Sequence, residues 1–438
     1  MVIDLKRRKD KNIEQPSSLV AIDMGSHSFR AMAAEVTPDD SLRILGVEES
    51  CQKRCVNSGV IENTTDAGFM INSVLKLLSN RIRVDQLHST FVCVGGRILK
   101  VFPVCSKRDQ IRQREISQHL LDDMEAECRE KIERKHPDVF VLDVIPYFYK
   151  LDGVEQDHEP TADQRAALVE GHYIAFVGKR EYEEKVVNSF NRSTIRVEQM
   201  YVRPDALLNA LASDDDMAKG CAILDLGAQT TTLSVFKGTQ YLQNQVEPLG
   251  SNDITKAIAS LGLSMQYAEH LKCTYGVAAE DMVQTNRRYV LPSVSGDKVC
   301  VTTKELAAII SSKLDEILQP LMQVLNKEAE RLKVLYITGG GAMLNGVVEY
   351  IQRMTSVSVD YGSHAAWITP DSADEYCMPK YASLVGTLLL GAAYRKKHPY
   401  VKPYEKDKRI IDSIKERTLD IFTEQDFSKI EDHPNPKN

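Results

Sequence analysis

The chain lacks the marks of a membrane, secreted or nucleic-acid-binding protein. No apolar run reaches the roughly 20 residues that span a bilayer. The opening stretch, MVIDLKRRKDKNIEQP, is charged where a signal peptide would carry an apolar core, so export is not expected and residues 1–17 read as a disordered lead-in. Nine cysteines are present without a Cys-x-x-Cys pair, and Cys51 and Cys55 have no His or Cys partner at zinc-ligand spacing. Others, such as Cys93 and Cys221, lie in apolar segments where a thiol behaves as a small hydrophobe, which fits a reducing, cytoplasmic setting. A Walker A lysine-serine motif is missing, as is a Gly-x-Gly-x-x-Gly turn opening a strand-helix unit, which argues against P-loop and Rossmann sites. The net charge of -7 supplies no basic footprint for phosphate backbones, so no nucleic-acid partner is expected. The basic cluster Arg395-Lys396-Lys397 reads as a solvated helix end.

What is present is the composition of a globular protein, 43% hydrophobic and 27% charged over 438 residues, long enough for two or more domains. Residues 19–24, 29–36 and 41–50 read as strands, and 66–79 as a helix. Ile111, Ile116, Leu120, Met124 and Ile132 recur at helical spacing and predict one amphipathic helix over 110–135. Strands are expected at 139–151, 172–178 and 194–199, with helices at 180–190 and 204–212. Asp214-Asp215-Asp216 reads as a solvated connector.

The most informative feature is a repeat. LVAIDMGSHSFRAMAAEV, from residue 19, and CAILDLGAQTTTLSVF, from residue 221, share one grammar: apolar strand, Asp-x-Gly, short polar turn, second strand. A third glycine site, ITGGGAMLNG at 337–346, follows another apolar strand. Mixed sheets with helices between them give an α/β fold of two like halves. Glycine admits close backbone approach and turn conformations closed to other residues, as a triphosphate requires. Gly25, Ser26, His27 and Ser28 would offer N–H groups and hydroxyls to phosphate, and Gly227, Thr230 and Thr231 would do so from the opposite wall. Asp23 and Asp225, at the two strand ends, would hold Mg²⁺ through water. Gly339, Gly340, Gly341 and Ala342 would pass close to the nucleotide, with the next helix adding its dipole. His27 reads as a phosphate-contacting or exposed turn residue rather than a base, and Asp143 and Asp152 as ordinary strand and turn acids.

These turns resemble the two phosphate motifs and the adenosine motif of the actin, Hsp70 and sugar-kinase superfamily. VCVGGRIL at 92–99, VLDVIPYFYKLDG at 141–153 and the segment 246–276 resemble, within it, the FtsA family of bacterial cell-division proteins. The resemblance implies an actin-like duplicated fold, two facing α/β domains around a nucleotide cleft with an inserted 1C subdomain. It divides the chain into subdomain 1A (18–90, 179–215 and 380–398), 1C (91–178), 2A (216–250 and 332–379), 2B (251–331) and a C-terminal linker (399–438). It further implies ATP with Mg²⁺, self-association into filaments, and the tubulin-like partner FtsZ docking on 2B. A C-terminal amphipathic helix at 410–422 would hold the chain on the inner face of the cytoplasmic membrane at the division site. The second turn departs from the family pattern: Ala228 and Gln229 stand for glycines and Thr232 for an acid. On the 305–318 helix, Ala308 stands for Glu, and Lys313, a further expected nucleotide contact, for Arg. These departures predict at most weak hydrolysis. A pilus-assembly ATP-binding scaffold and a small-molecule kinase of the same superfamily are the alternatives.

Overall fold

A computed structural model describes residues 18–398, apart from 52, 53, 86, 98, 157, 158, 192, 194, 239, 363 and 373. The lead-in at 1–17 and the expected helix at 410–422 lie outside the described residues. The strand Ser18–Met24 is buried along nearly its whole length, which is why it reads as a continuous apolar run rather than an alternating one. It pairs antiparallel with Phe29–Val36 and parallel with Ser89–Val94. Leu42–Ser50 and Arg196–Val202 complete a five-stranded sheet at its two edges.

The second half repeats this sheet. Cys221–Leu226 pairs antiparallel with Thr231–Lys237 and parallel with Val334–Thr338, and Gln240–Glu247 and Ser358–Tyr361 form the edges. The two hairpins close in the same register, Met24 opposite Phe29 and Leu226 opposite Thr231. The duplication read from the sequence is therefore a duplication of strand order and of turn length. One core cluster runs through both halves, joining Val20, Ile22 and Phe29 to Cys221, Ile223 and Phe236. The helix Ala382–Lys397 crosses the helix Arg203–Leu211 so closely that a Cβ on Gly386 would lie 1.7 Å from the Ala206 carbonyl oxygen.

In sequence between Ser89–Val94 and Arg196–Val202 of the first sheet comes an inserted antiparallel sheet of Lys100–Glu115, Arg165–Lys179, Val139–Leu151 and Val154–Gln156, covered by the helix Gln118–Lys135. The expected boundary at 91 falls inside Ser89–Val94, which belongs to the first sheet, and the insert's own sheet starts at Lys100. The helix expected over 110–135 begins only at Gln118, after Ser117, whose hydroxyl accepts from the Leu120 N–H. Residues 100–115 are strand because Arg165–Lys179 satisfies their backbone, a long-range pairing that overrides local periodicity. Ile111 sits where that register breaks, 89% exposed and at φ 63°.

The acidic run at 214–216 is likewise no connector. It opens a short helix, Asp214–Lys219, capped by Ser213, and Asp216 is buried against Lys333 and Tyr336. These two donors and the Ser213 cap overcome the burial that opposes charge and hold the Asp216 carboxyl below the ordinary carboxylate range. Residues 251–331 contain the helices Ser251–Ala259, Met265–Tyr275 and Thr303–Glu328 and the hairpin Arg288–Pro292/Lys298–Thr302.

Candidate functional site

The two Asp-x-Gly hairpins and the third glycine turn converge on one cavity of about 420 Å³ between the sheets, within the size range of small-molecule sites. The hairpin turns are the same device built twice. The Gly25 N–H donates to the Ser28 carbonyl and the Gly227 N–H to the Thr230 carbonyl, each at 3.0 Å. A Cβ on Gly25 would sit 2.9 Å from its turn's carbonyl oxygen, and one on Gly227 2.6 Å from its own, so both turns need glycine for space. Gly339 needs it twice over: its φ is +88°, and a Cβ there would lie 2.4 Å from Asp225 Oδ1.

Asp23, Gly25, Ser26, His27, Ser28, Asp225, Gly227, Ala228, Gln229, Thr230, Gly339, Gly340 and Gly341 all line this cavity. His27 is exposed within it. Ser28 is 3% exposed, and its hydroxyl has no hydrogen-bond partner among the described residues. Three expected contacts stand elsewhere. Thr231 is buried and donates to the Leu249 carbonyl, Ala342 is buried in the second core, and Lys313 pairs with Glu316 away from the lining. The cation that faces that side is Lys272. Its ammonium is engaged by Glu269 at 2.8 Å, by the Thr255 hydroxyl and by the Ser251 carbonyl.

No helix dipole reinforces the third glycine turn directly. Gly340–Met343 is a single 3-10 turn, and the next helix, Val347–Gln352, has six residues. The helix Ser251–Ala259 has its leading N–H groups satisfied by the second hairpin, since Ser251 N donates to the Gly227 carbonyl and Asn252 N to that of Ala228.

Gln229, one of the departures in the second turn, reaches across the cleft. Its Oε1 accepts from the Ser58 N–H at 2.7 Å, tying the second hairpin to a loop of the first half. That loop packs tightly on its neighbour: Gly59 has φ +86°, and a Cβ there would lie 2.3 Å from the Gly95 carbonyl oxygen.

The residue that sequence reasoning missed is Arg203. It opens the helix Arg203–Leu211, and its guanidinium lies on the cleft floor between the paired acids. Nη1 and Nη2 donate to the two oxygens of Asp23 at 3.0 and 2.5 Å, and Nη1 lies 3.8 Å from Asp225 Oδ2. Ser383 adds a third donor to Asp23 at 2.8 Å. Burial opposes the charge of Arg203, but Asp23 outweighs it and holds the group protonated. Burial raises the Asp225 carboxyl, and Arg203 only partly offsets this. The one signal in the sequence was a cation directly between a strand and a proline-opened helix, VRPD, which by itself has no stated target.

This donor set does not fit the hydrated Mg²⁺ expected at Asp23 and Asp225. The site would have to present two carboxylates to a dication, but one of them is already neutralised by a fixed guanidinium. A dication within about 5 Å of that guanidinium would be repelled by roughly 7 kcal/mol at an effective dielectric of 20. Among the described residues no group of three or more His, Cys, Asp or Glu side chains could hold a metal ion.

The family model described as "Cell division protein FtsA" matches residues 222–386. The cell division protein FtsA of Neisseria meningitidis serogroup B is 26% identical over 382 residues, covering 86% of this chain and 90% of that protein. The Escherichia coli K12 protein of the same name is 24% identical over 398 residues, covering 85% and 90%, and that of Bacillus subtilis is 25% identical over 362 residues, covering 78% of each. Among solved structures, one described as "PilM-PilN type IV pilus biogenesis complex" superposes with a TM-score of 0.61 at 18% identity, covering 85% of this chain and 98% of that one, a likeness of fold. The chain has the actin-like duplicated fold and is a relative of the cell division protein FtsA.

Proposed function

We propose that the chain is a nucleotide-binding, actin-like cell-division protein. The observation that carries this reading is the convergence of two matched Asp-x-Gly hairpins and a third glycine turn on one cavity. Turn N–H groups and the partnerless Ser28 hydroxyl supply donors suited to phosphate oxygens, and Gly339–Gly341 let a ligand lie against the backbone. ATP is the ligand that the resemblance favours. Its phosphates would meet Gly25–Ser28 on one wall and Gly227–Thr230 on the other. The substituted second turn, with Gln229 engaged by Ser58 and no carboxylate at Thr232, supports nucleotide-controlled assembly with at most weak hydrolysis.

The same reading assigns self-association into filaments, docking of FtsZ on 251–331, and attachment of residues 410–422 to the inner face of the cytoplasmic membrane. Its support is the curated relatives' name and the coverage of their lengths. Among the described residues no helix is long and apolar enough to cross a membrane.

ATP binding is tested by thermal shift, since a ligand at a hundredfold excess over its Kd stabilises by about 2.7 kcal/mol. An unchanged melting temperature at millimolar ATP, with and without Mg²⁺, removes the nucleotide reading. Retention of the full chain on a peptide of the tubulin-like partner's C-terminus tests the division role, and no retention above a scrambled peptide removes it. Loss of vesicle co-sedimentation on deleting 399–438 tests the anchor.

A further inference from the structure

We infer that Arg203 takes the place of the divalent cation in this cleft, so that the nucleotide is bound without a metal ion. The inference rests on the nucleotide reading above and deepens it. Asp23 and Asp225, one from each hairpin, are the pair to which an ion would be offered, and the guanidinium lies between them. Its charge is delivered from the end of the strand Arg196–Val202, where Pro204 starts the next helix and fixes the approach. Space for it is built in. A Cβ on Gly95 would lie 2.8 Å from Arg203 Nε and 3.0 Å from its Cβ, so a larger residue there would displace the side chain.

The arrangement leaves the cation able to meet a ligand. Asp23 engages two of the five guanidinium N–H groups, and Arg203 itself lines the cavity. A phosphate oxygen arriving between the two turns would therefore find a fixed positive charge and backbone donors already in place. It would not need to bring an ion with it, and the neutralised Asp23 would repel it less than a bare carboxylate.

The test is isothermal titration of ATP into the full chain in buffer with EDTA and in buffer with Mg²⁺, with Mg²⁺ titrated alone as a third arm. The expected result is an ATP Kd that agrees within about threefold in the two buffers, with no binding of Mg²⁺ alone. Arg203→Ala is then expected to bind ATP at least tenfold more tightly with Mg²⁺ than with EDTA, because the two carboxylates become available to the ion. Binding by the unsubstituted chain that weakens tenfold or more in EDTA overturns the inference and leaves the nucleotide reading standing. Absence of ATP binding in both buffers overturns both. If Arg203→Ala does not fold, the two-buffer comparison on the unsubstituted chain decides alone.

Discussion

The helix Arg203–Leu211 that delivers Arg203 also carries a buried acid, and its titration can be predicted with a sign and a size. Asp205 accepts from Asn209 Nδ2 at 3.0 Å, and its carboxyl is pushed up to about 7 by burial and by the neighbouring charge of Asp143 on the insert strand Val139–Leu151. Asp143 is itself raised, chiefly by burial, with Arg129 opposing. An unfolded Asp titrates near 3.8. Between that value and about 7 the folded chain holds a proton that the unfolded chain has released. Stability therefore falls as pH rises through this window, and the penalty is complete above it. About three units at roughly 1.4 kcal/mol each give a ceiling near 4 kcal/mol, and sharing the proton with Asp143 reduces this to about 2–4 kcal/mol. Asp205→Asn is a neutral replacement of similar shape. It is expected to exceed the parent by only about 1–2 kcal/mol at pH 5, where about one of the three units has been crossed, and by about 2–4 kcal/mol at pH 8.5. Urea unfolding of both proteins at the two pH values measures this, because all other titrating groups cancel in the difference. If the gap between variant and parent is the same at both pH values, the assignment of a retained proton to this pair is wrong.

Gly339→Ala puts a methyl against Asp225 Oδ1 and asks a non-glycine residue to hold φ +88°. The expected outcome is a stability loss of about 1–3 kcal/mol, as for other strained backbone positions, together with loss of the ATP-induced thermal shift; a retained shift would place the ligand away from this turn. Gln229→Ala removes the bond to Ser58 across the cleft. A global stability change of about 0.5–1.5 kcal/mol is expected, with the larger effect local: the Ser58 amide should exchange with deuterium faster, and unchanged exchange would mean that the two walls are held together by other contacts.

The turns were legible in the sequence because their cause is local. An apolar strand ending in Asp-x-Gly announces both its burial and the need for a residue without a Cβ, and two copies about 200 residues apart exposed the duplication, 19 and 221 being their starts. Cys93 and Cys221 were legible for the same reason: both are buried, and both thiols are pushed up to about 12 by burial, whereas Cys51, Cys105, Cys273 and Cys300 are exposed. Residues 110–115, the end of the strand Lys100–Glu115, were misread as helix because nothing within that stretch signals its partner strand, which begins 50 residues beyond its end, Glu115 lying opposite Arg165. Lys313 and Lys272 look equivalent as letters, and only packing decides that Lys272 faces the cleft while Lys313 faces Glu316. The sequence by itself determined two matching halves and the glycines between which a ligand would lie. Tertiary structure alone decided the charge on the cleft floor, because the contact of Arg203 with Asp23 joins residues 180 positions apart and its strength depends on a burial that no local pattern encodes.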